Sequence, residues 1–214
     1  MAWLQRRPQV ADPVNFVSIG MNKTLLVVGL GNPGKEYDGT RHNIGFDVVE
    51  AFAKASDFGG WVEKKDMKCM VAEGRLNDTK VILMKPTTFM NLSGEAVQAV
   101  THFYKIPTNR TLVIHDELDV NFGQIRTRAG GSSAGHNGVK SVSEQLGDEN
   151  YGRVRIGIGP KKPAQIDSAD FVLQKFSTKE QKDIPALVKE ATAILSEYAY
   201  GGGELLVETR SFLF

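Results

Sequence analysis

A histidine, a carboxylate and several asparagines carry the chemistry that this sequence can offer. His42 stands in the stretch G-L-G-N-P-G-K-E-Y-D-G-T-R-H-N-I-G, residues 29–45, which also holds Asn32, Tyr37 and Asn43. Its glycines and Pro33 describe a pre-shaped loop, too costly for a helix interior, and such loops carry catalytic groups on α/β scaffolds. A second stretch, V-I-H-D-E-L-D at 113–119, places Asp116 just past an apolar run, where it is positioned to orient a histidine. Solvated turn charges are the plainer reading of its four ionisable side chains. With no second histidine at metal spacing beside His115 and no H-E-x-x-H, no metal site is expected.

Two further stretches supply polar apices. In M-K-P-T-T-F-M-N-L-S-G-E-A, residues 84–96, Asn91 falls at the mouth of a helix, where the N-cap role is favoured, though a cap and a substrate ligand are not exclusive. In R-T-R-A-G-G-S-S-A-G-H-N-G, residues 126–138, a basic strand runs into a glycine and serine loop that ends on His136 and Asn137. That loop has the composition of a flexible lid or of a plain surface connection, and its amides suit an anion.

The elements that must position these groups alternate short apolar runs with amphipathic helices, the pattern of a central sheet covered on both faces. Strands are expected at 24–29, 69–75, 80–85, 111–115, 123–128 and 153–158. Helices are expected at 43–55, with Phe46, Val49 and Ala53 inward, and at 92–105, with Ala96, Val97, Val100, Phe103 and Tyr104 inward. A third covers 138–146 and stops at Gly147. The longest follows two overlapping capping boxes, Ser177 with Glu180 and Thr178 with Gln181, and runs to Gly201.

The chain's 214 residues and 41% hydrophobic content fit one globular domain. A single cysteine, Cys69, excludes an internal disulfide and a thiolate metal cluster, so a reducing cytoplasm is the default location. Residues 1–20 lack a signal-peptide core and a membrane anchor, and read as an N-terminal extension, disordered or added upstream of Met21. Net charge is +1, which hides a local excess: residues 121–162 hold seven basic against three acidic side chains. Arg126, Arg128, Arg153 and Arg155 make most of that excess, a local footprint for phosphate.

Gly29, Gly31 and Gly34 also satisfy G-x-G-x-x-G after a strand. A dinucleotide site would need the helix to open inside that motif and an acidic residue about 20 positions on, and neither is visible. Ser93 fits a helix start better than a nucleophile.

Taken together and in order, G-L-G-N-P-G-x-x-Y-x-x-T-R-H-N-I-G, K-P-T-T-F-M-N-L-S-G, H-D-E-L-D, G-H-N-G and R-I-G-I-G resemble the bacterial-type peptidyl-tRNA hydrolase family over residues 24–173. The resemblance implies a monomeric α/β domain over residues 21–214, with a mixed, twisted central sheet. It implies hydrolysis of the ester between a peptide and the terminal ribose of tRNA, without metal or cofactor. Residue by residue, it implies His42 as catalytic base and Asp116 as its orienting carboxylate. Asn32, Asn91 and Asn137 would hold the peptide and the attacked carbonyl, Tyr37 and His136 would line the cleft, and Arg128 and Arg155 would clamp tRNA phosphate. Two features depart from the family pattern: Ser132-Ser133 where a histidine and glycines are commoner, and arginine for lysine at the clamp. Plastid splicing factors that resemble the family act as protein-binding modules, which keeps a non-catalytic binding role as the alternative.

Overall fold

The computed structural model describes residues 23–212, and the expectation for residues 1–20 lies outside the described residues. Eight strands form one mixed sheet in the order β2-β3-β4-β1-β5-β7-β6-β8. They are β1 Thr24–Gly29, β2 Val62–Lys64, β3 Cys69–Leu76, β4 Thr79–Pro86, β5 Thr111–Asn121, β6 Gln124–Ala129, β7 Gly152–Gly159 and β8 Thr209–Ser211. The central four, β4, β1, β5 and β7, run parallel, and antiparallel strands extend both edges. The short edge strands β2 and β8 carry no apolar run and were not expected from sequence.

Helices cover both faces. On one face α1 (Ile44–Ala55) and α6 (Ile184–Tyr200) pack over Leu25, Val27, Leu112 and Ile114. On the other, α2 (Ser93–Tyr104) and α3 (Asn137–Leu146) cover Leu26, Val28, Val113 and Tyr151. Cys69 is buried in the second core, and burial pushes its thiol up to about 11, as inert packing requires.

Three expectations need correction. The long C-terminal helix is two: α5 (Thr178–Gln181) uses the Ser177 and Glu180 capping box, and α6 starts afresh at Ile184. Pro185 explains the break, because it can occupy the first turn of a helix but cannot donate inside one. Phe103 is 66% exposed and Phe46 only half-buried, whereas Val48 and Phe52 fill the α1 core face. Finally, β5 continues to Asn121, so His115, Asp116 and Glu117 are buried strand residues and not solvated turn charges.

The topology sets where function can sit. From β1 the chain moves out to β4 and then back across β1 to β5, which makes the carboxyl end of β1 the switch point of the parallel strands. Crevices form at such points. The loops after β1 and β4 and the far half of β5 meet there.

Candidate active site

The loop after β1 is drawn against the sheet by close backbone contact. A Cβ on Gly45 would stand 2.6 Å from the Ile114 carbonyl oxygen, so only glycine lets the start of α1 approach β5 this closely. The Leu30 amide donates to that same carbonyl at 3.0 Å. His42 is thereby held over Asp116, two residues further along β5.

Asn43 locks the loop from within. Its side-chain oxygen accepts from the Asn32 amide at 2.8 Å and its side-chain nitrogen donates to the Asn32 carbonyl at 2.9 Å. Asn32 in turn accepts from the Met90 amide through Oδ1 at 2.8 Å, tying the β1 loop to the turn after β4. With Oδ1 engaged, the Asn32 NH₂ is the group left for the cavity.

Asn91 lies in a one-turn helix, Met90–Leu92, ahead of α2, and does not cap α2: the cap position belongs to Leu92, with no side-chain bond. The favoured cap reading is therefore overturned. Asn137 opens α3. Both asparagines are exposed and line the same cavity. Their spacing is set by the α2–α3 contact, where the Gly94 amide donates to Ser141 Oγ at 3.0 Å and no Cβ would fit at Gly94.

At the floor, two histidines converge on one carboxylate oxygen. His42 Nδ1 lies 2.8 Å and His136 Nε2 3.0 Å from Asp116 Oδ1. His136 also caps α3: its Nδ1 accepts from the amides of Gly138 and Val139 at 3.1 and 3.2 Å. An Nδ1 that accepts two amide protons leaves the ring proton on Nε2, so His136 donates to Asp116. His42 donates through Nδ1, which frees its Nε2 lone pair for the cavity. Burial alone would raise the Asp116 carboxyl, but the interactions with His136 and His42 outweigh it and hold the group well below the usual carboxylate range. Asp116 is thus an anion that orients both rings.

His115 lies beneath His136, with ring centroids 4.8 Å apart, and its Nδ1 donates to the Asp116 carbonyl at 2.7 Å. Complete burial pushes its imidazole well below the ordinary histidine value. Among the described residues, one group brings three potential metal-ligating side chains together, His42, Asp116 and His136, with ligand atoms within 4.8 Å of one another. To ligate an ion through Nε2, His136 would have to surrender the proton that its cap places there.

The cavity is about 670 Å³ and is lined by Asn32, His42, Asn91, Asp116, His136 and Asn137, with Phe89, Met90, Val172 and Leu173 as apolar walls. Tyr37 does not line it. It packs edge-on against Phe89, with centroids 6.3 Å apart, and supports the wall. Ser93 is fully buried and outside the lining, so it offers no nucleophile there.

One wall comes from α4 (Ser168–Val172), and Arg41, the neighbour of His42, fastens it. The Arg41 guanidinium stacks 4.3 Å from the Phe171 ring centroid, donates to the Lys175 carbonyl at 2.7 Å and pairs with Glu180 at 2.8 Å. Arg41 and Glu117 are site residues that motif reading did not single out. Arg41 could not have been found from sequence, because its partners lie more than a hundred residues away.

Arg128 and Arg155 sit outside the cavity on the open face of β6 and β7, half-buried. Arg153, directly opposite Arg128 in register, is instead a structural residue: it is 2% exposed and its guanidinium donates to the carbonyls of Gly130, Gly131 and Ser132, the last at 2.7 Å. The start of the loop after β6 is therefore pinned to the sheet.

A buried carboxylate that turns a histidine lone pair toward an amide-rimmed cavity is the equipment of a hydrolase that activates water. The description "Peptidyl-tRNA hydrolase" belongs to the family model that matches residues 26–209, and the chain belongs to that family. It is 48% identical to the peptidyl-tRNA hydrolase of Frankia alni over 166 residues, 78% of this chain and 83% of that one. Against the enzyme of Caldanaerobacter subterraneus the identity is 46% over 179 residues, covering 84% and 95%. The crystal structure of peptidyl-tRNA hydrolase from Acinetobacter baumannii superposes with a TM-score of 0.76 at 34% identity, covering 86% of this chain and 91% of that one.

Proposed function

We propose that the chain hydrolyses peptidyl-tRNA through a water activated by His42, without a covalent intermediate. The observation that carries this is the His42–Asp116 hydrogen bond at 2.8 Å on the floor of a cavity rimmed by three asparagines. Nε2 of His42 takes a proton from water as its oxygen attacks the ester carbonyl. The resulting imidazolium, stabilised by Asp116, returns a proton to the departing ribose oxygen, so the proton count closes without another acid. Amide N–H groups of Asn32, Asn91 and Asn137 face the developing oxyanion. The apolar wall of Phe89, Met90, Val172 and Leu173 accommodates peptide side chains.

Arg128 and Arg155 hold tRNA phosphates, supported by their common face and the local charge excess. The protein works as a monomer in the cytoplasm; among the described residues no helix is long and apolar enough to cross a membrane.

The test is release of peptide from peptidyl-tRNA by the wild-type protein and by Arg128→Ala. The expected outcome is robust wild-type turnover, and for the variant a raised KM with kcat close to wild type. No release at all would favour the binding-module alternative.

A further inference from the structure

Strands β6 and β7 bring four arginines to one face. The antiparallel register sets Arg126 opposite Arg155 and Arg128 opposite Arg153, and alternate residues of a strand share a face. Arg153 spends its guanidinium on loop carbonyls. Among the described residues Arg126 and Arg155 make no such bonds, and the Nε of each, like that of Arg153, is buried without a hydrogen-bond partner. Burial disfavours charge on Arg155, as do Arg128 and Arg126, while Glu117 and Asp119 favour it.

Glu117 projects from β5 toward this cluster and is 6% exposed. Its Oε2 lies 3.7 Å from Arg155 Nη1, close enough to attract and too far to hydrogen-bond, while Oε1 accepts weakly from the Asp119 amide at 3.3 Å. Glu117 also lines the reaction cavity. A carboxylate in this position neutralises part of a crowded cationic patch yet forms no bond that a better anion could not replace. A phosphate offers at least two non-bridging acceptor oxygens in a geometry that matches guanidinium donors.

We propose that Glu117 is a built-in competitor for Arg155, occupying its field in the free protein and giving way when a tRNA phosphate arrives. The inference rests on the reading that Arg155 meets tRNA. Its consequence is that tRNA affinity is held below what the arginine cluster alone would deliver, which suits an enzyme that must release tRNA after each turnover.

The experiment measures binding of deacylated, 5′-phosphorylated tRNA at one fixed salt concentration to wild type, Glu117→Gln, Arg155→Ala and the double variant. Glu117→Gln is expected to bind about two- to fivefold more tightly, the worth of an ion pair too long to hydrogen-bond. Arg155→Ala is expected to bind more weakly, and in its background Glu117→Gln should change nothing. Glu117→Gln affinity equal to or weaker than wild type overturns the proposal, as does tightening of the same size in both backgrounds. If Arg155→Ala binds like wild type, the phosphate reading of Arg155 itself fails. Should the Gln variant not fold, Glu117→Asp keeps the charge but shortens the stem and draws the carboxylate back, and it should tighten binding less; Glu117→Asp weaker than wild type would equally overturn the competitor role.

Discussion

His42 and His136 share an acceptor: the Nδ1–H of one and the Nε2–H of the other reach the same oxygen of Asp116, at 2.8 and 3.0 Å. The rings stand 4.9 Å apart between centroids. One histidine faces the cavity with its free nitrogen, whereas the other has none free, because its second nitrogen caps α3. The helix cap and the Asp116 carboxylate are therefore joined through a single imidazole.

That joint can be cut in two ways. His136→Ala removes both the cap and the second donor to Asp116, and should cost about 1 kcal/mol of stability. His136→Asn retains a capping oxygen and should melt close to wild type. Both should lose about tenfold or more in turnover, the worth of a hydrogen bond to a charged group. Thermal melts beside kcat measurements separate the two effects, and an Asn variant with full turnover would show that Asp116 needs only one donor.

Among the described residues Asn91 and Asn137 make no side-chain bond that would explain them structurally, yet both line the cavity. If their N–H groups face the oxyanion, Asp in place of either should lower kcat at least as much as Ala, because it opposes the developing charge. An Asp variant clearly faster than its Ala counterpart at neutral pH would assign that asparagine to another task.

Asp47, half-buried in α1, has its carboxyl raised from 3.8 to about 6 by burial first and then by Glu50 and Asp38, with Lys85 opposing. A raised acid penalises the native state once it ionises. The penalty is absent below about pH 4, where the group is protonated folded or unfolded, grows between about pH 4 and 6, and is complete above that. Allowing for partial exposure, Asp47→Asn should add about 1 kcal/mol at pH 7.5, or roughly 2–4 °C in Tm for a chain of this size. At pH 3.5 the two melts should coincide. Equal stabilisation at both pH values would mean that packing, not ionisation, is responsible.

Much of this architecture is legible in the sequence because it rests on local signals. Apolar or alternating runs mark the six longer strands, Gly147 marks the end of α3, and the polar residues of the β1 loop announce themselves by standing where a helix cannot. What stays hidden depends on distant partners. Asp116 and Glu117 resemble turn charges until β5 is seen to continue past them under the cover of His136 and Arg155. Asn91 has the composition of a cap, and only the extra turn ahead of α2 moves it to the rim. Arg153 looks like one more clamp residue, since nothing in its neighbourhood records that three carbonyls of residues 130–132 fold back onto it.

The most direct measurement is the rate of peptide release from peptidyl-tRNA by wild type and His42→Ala, with tRNA affinity measured on the same preparations. Loss of the general base should lower kcat by about 10²- to 10⁴-fold while tRNA binds as before. A His42→Ala protein that still releases peptide at the wild-type rate would contradict the assignment of His42 as the base that activates water.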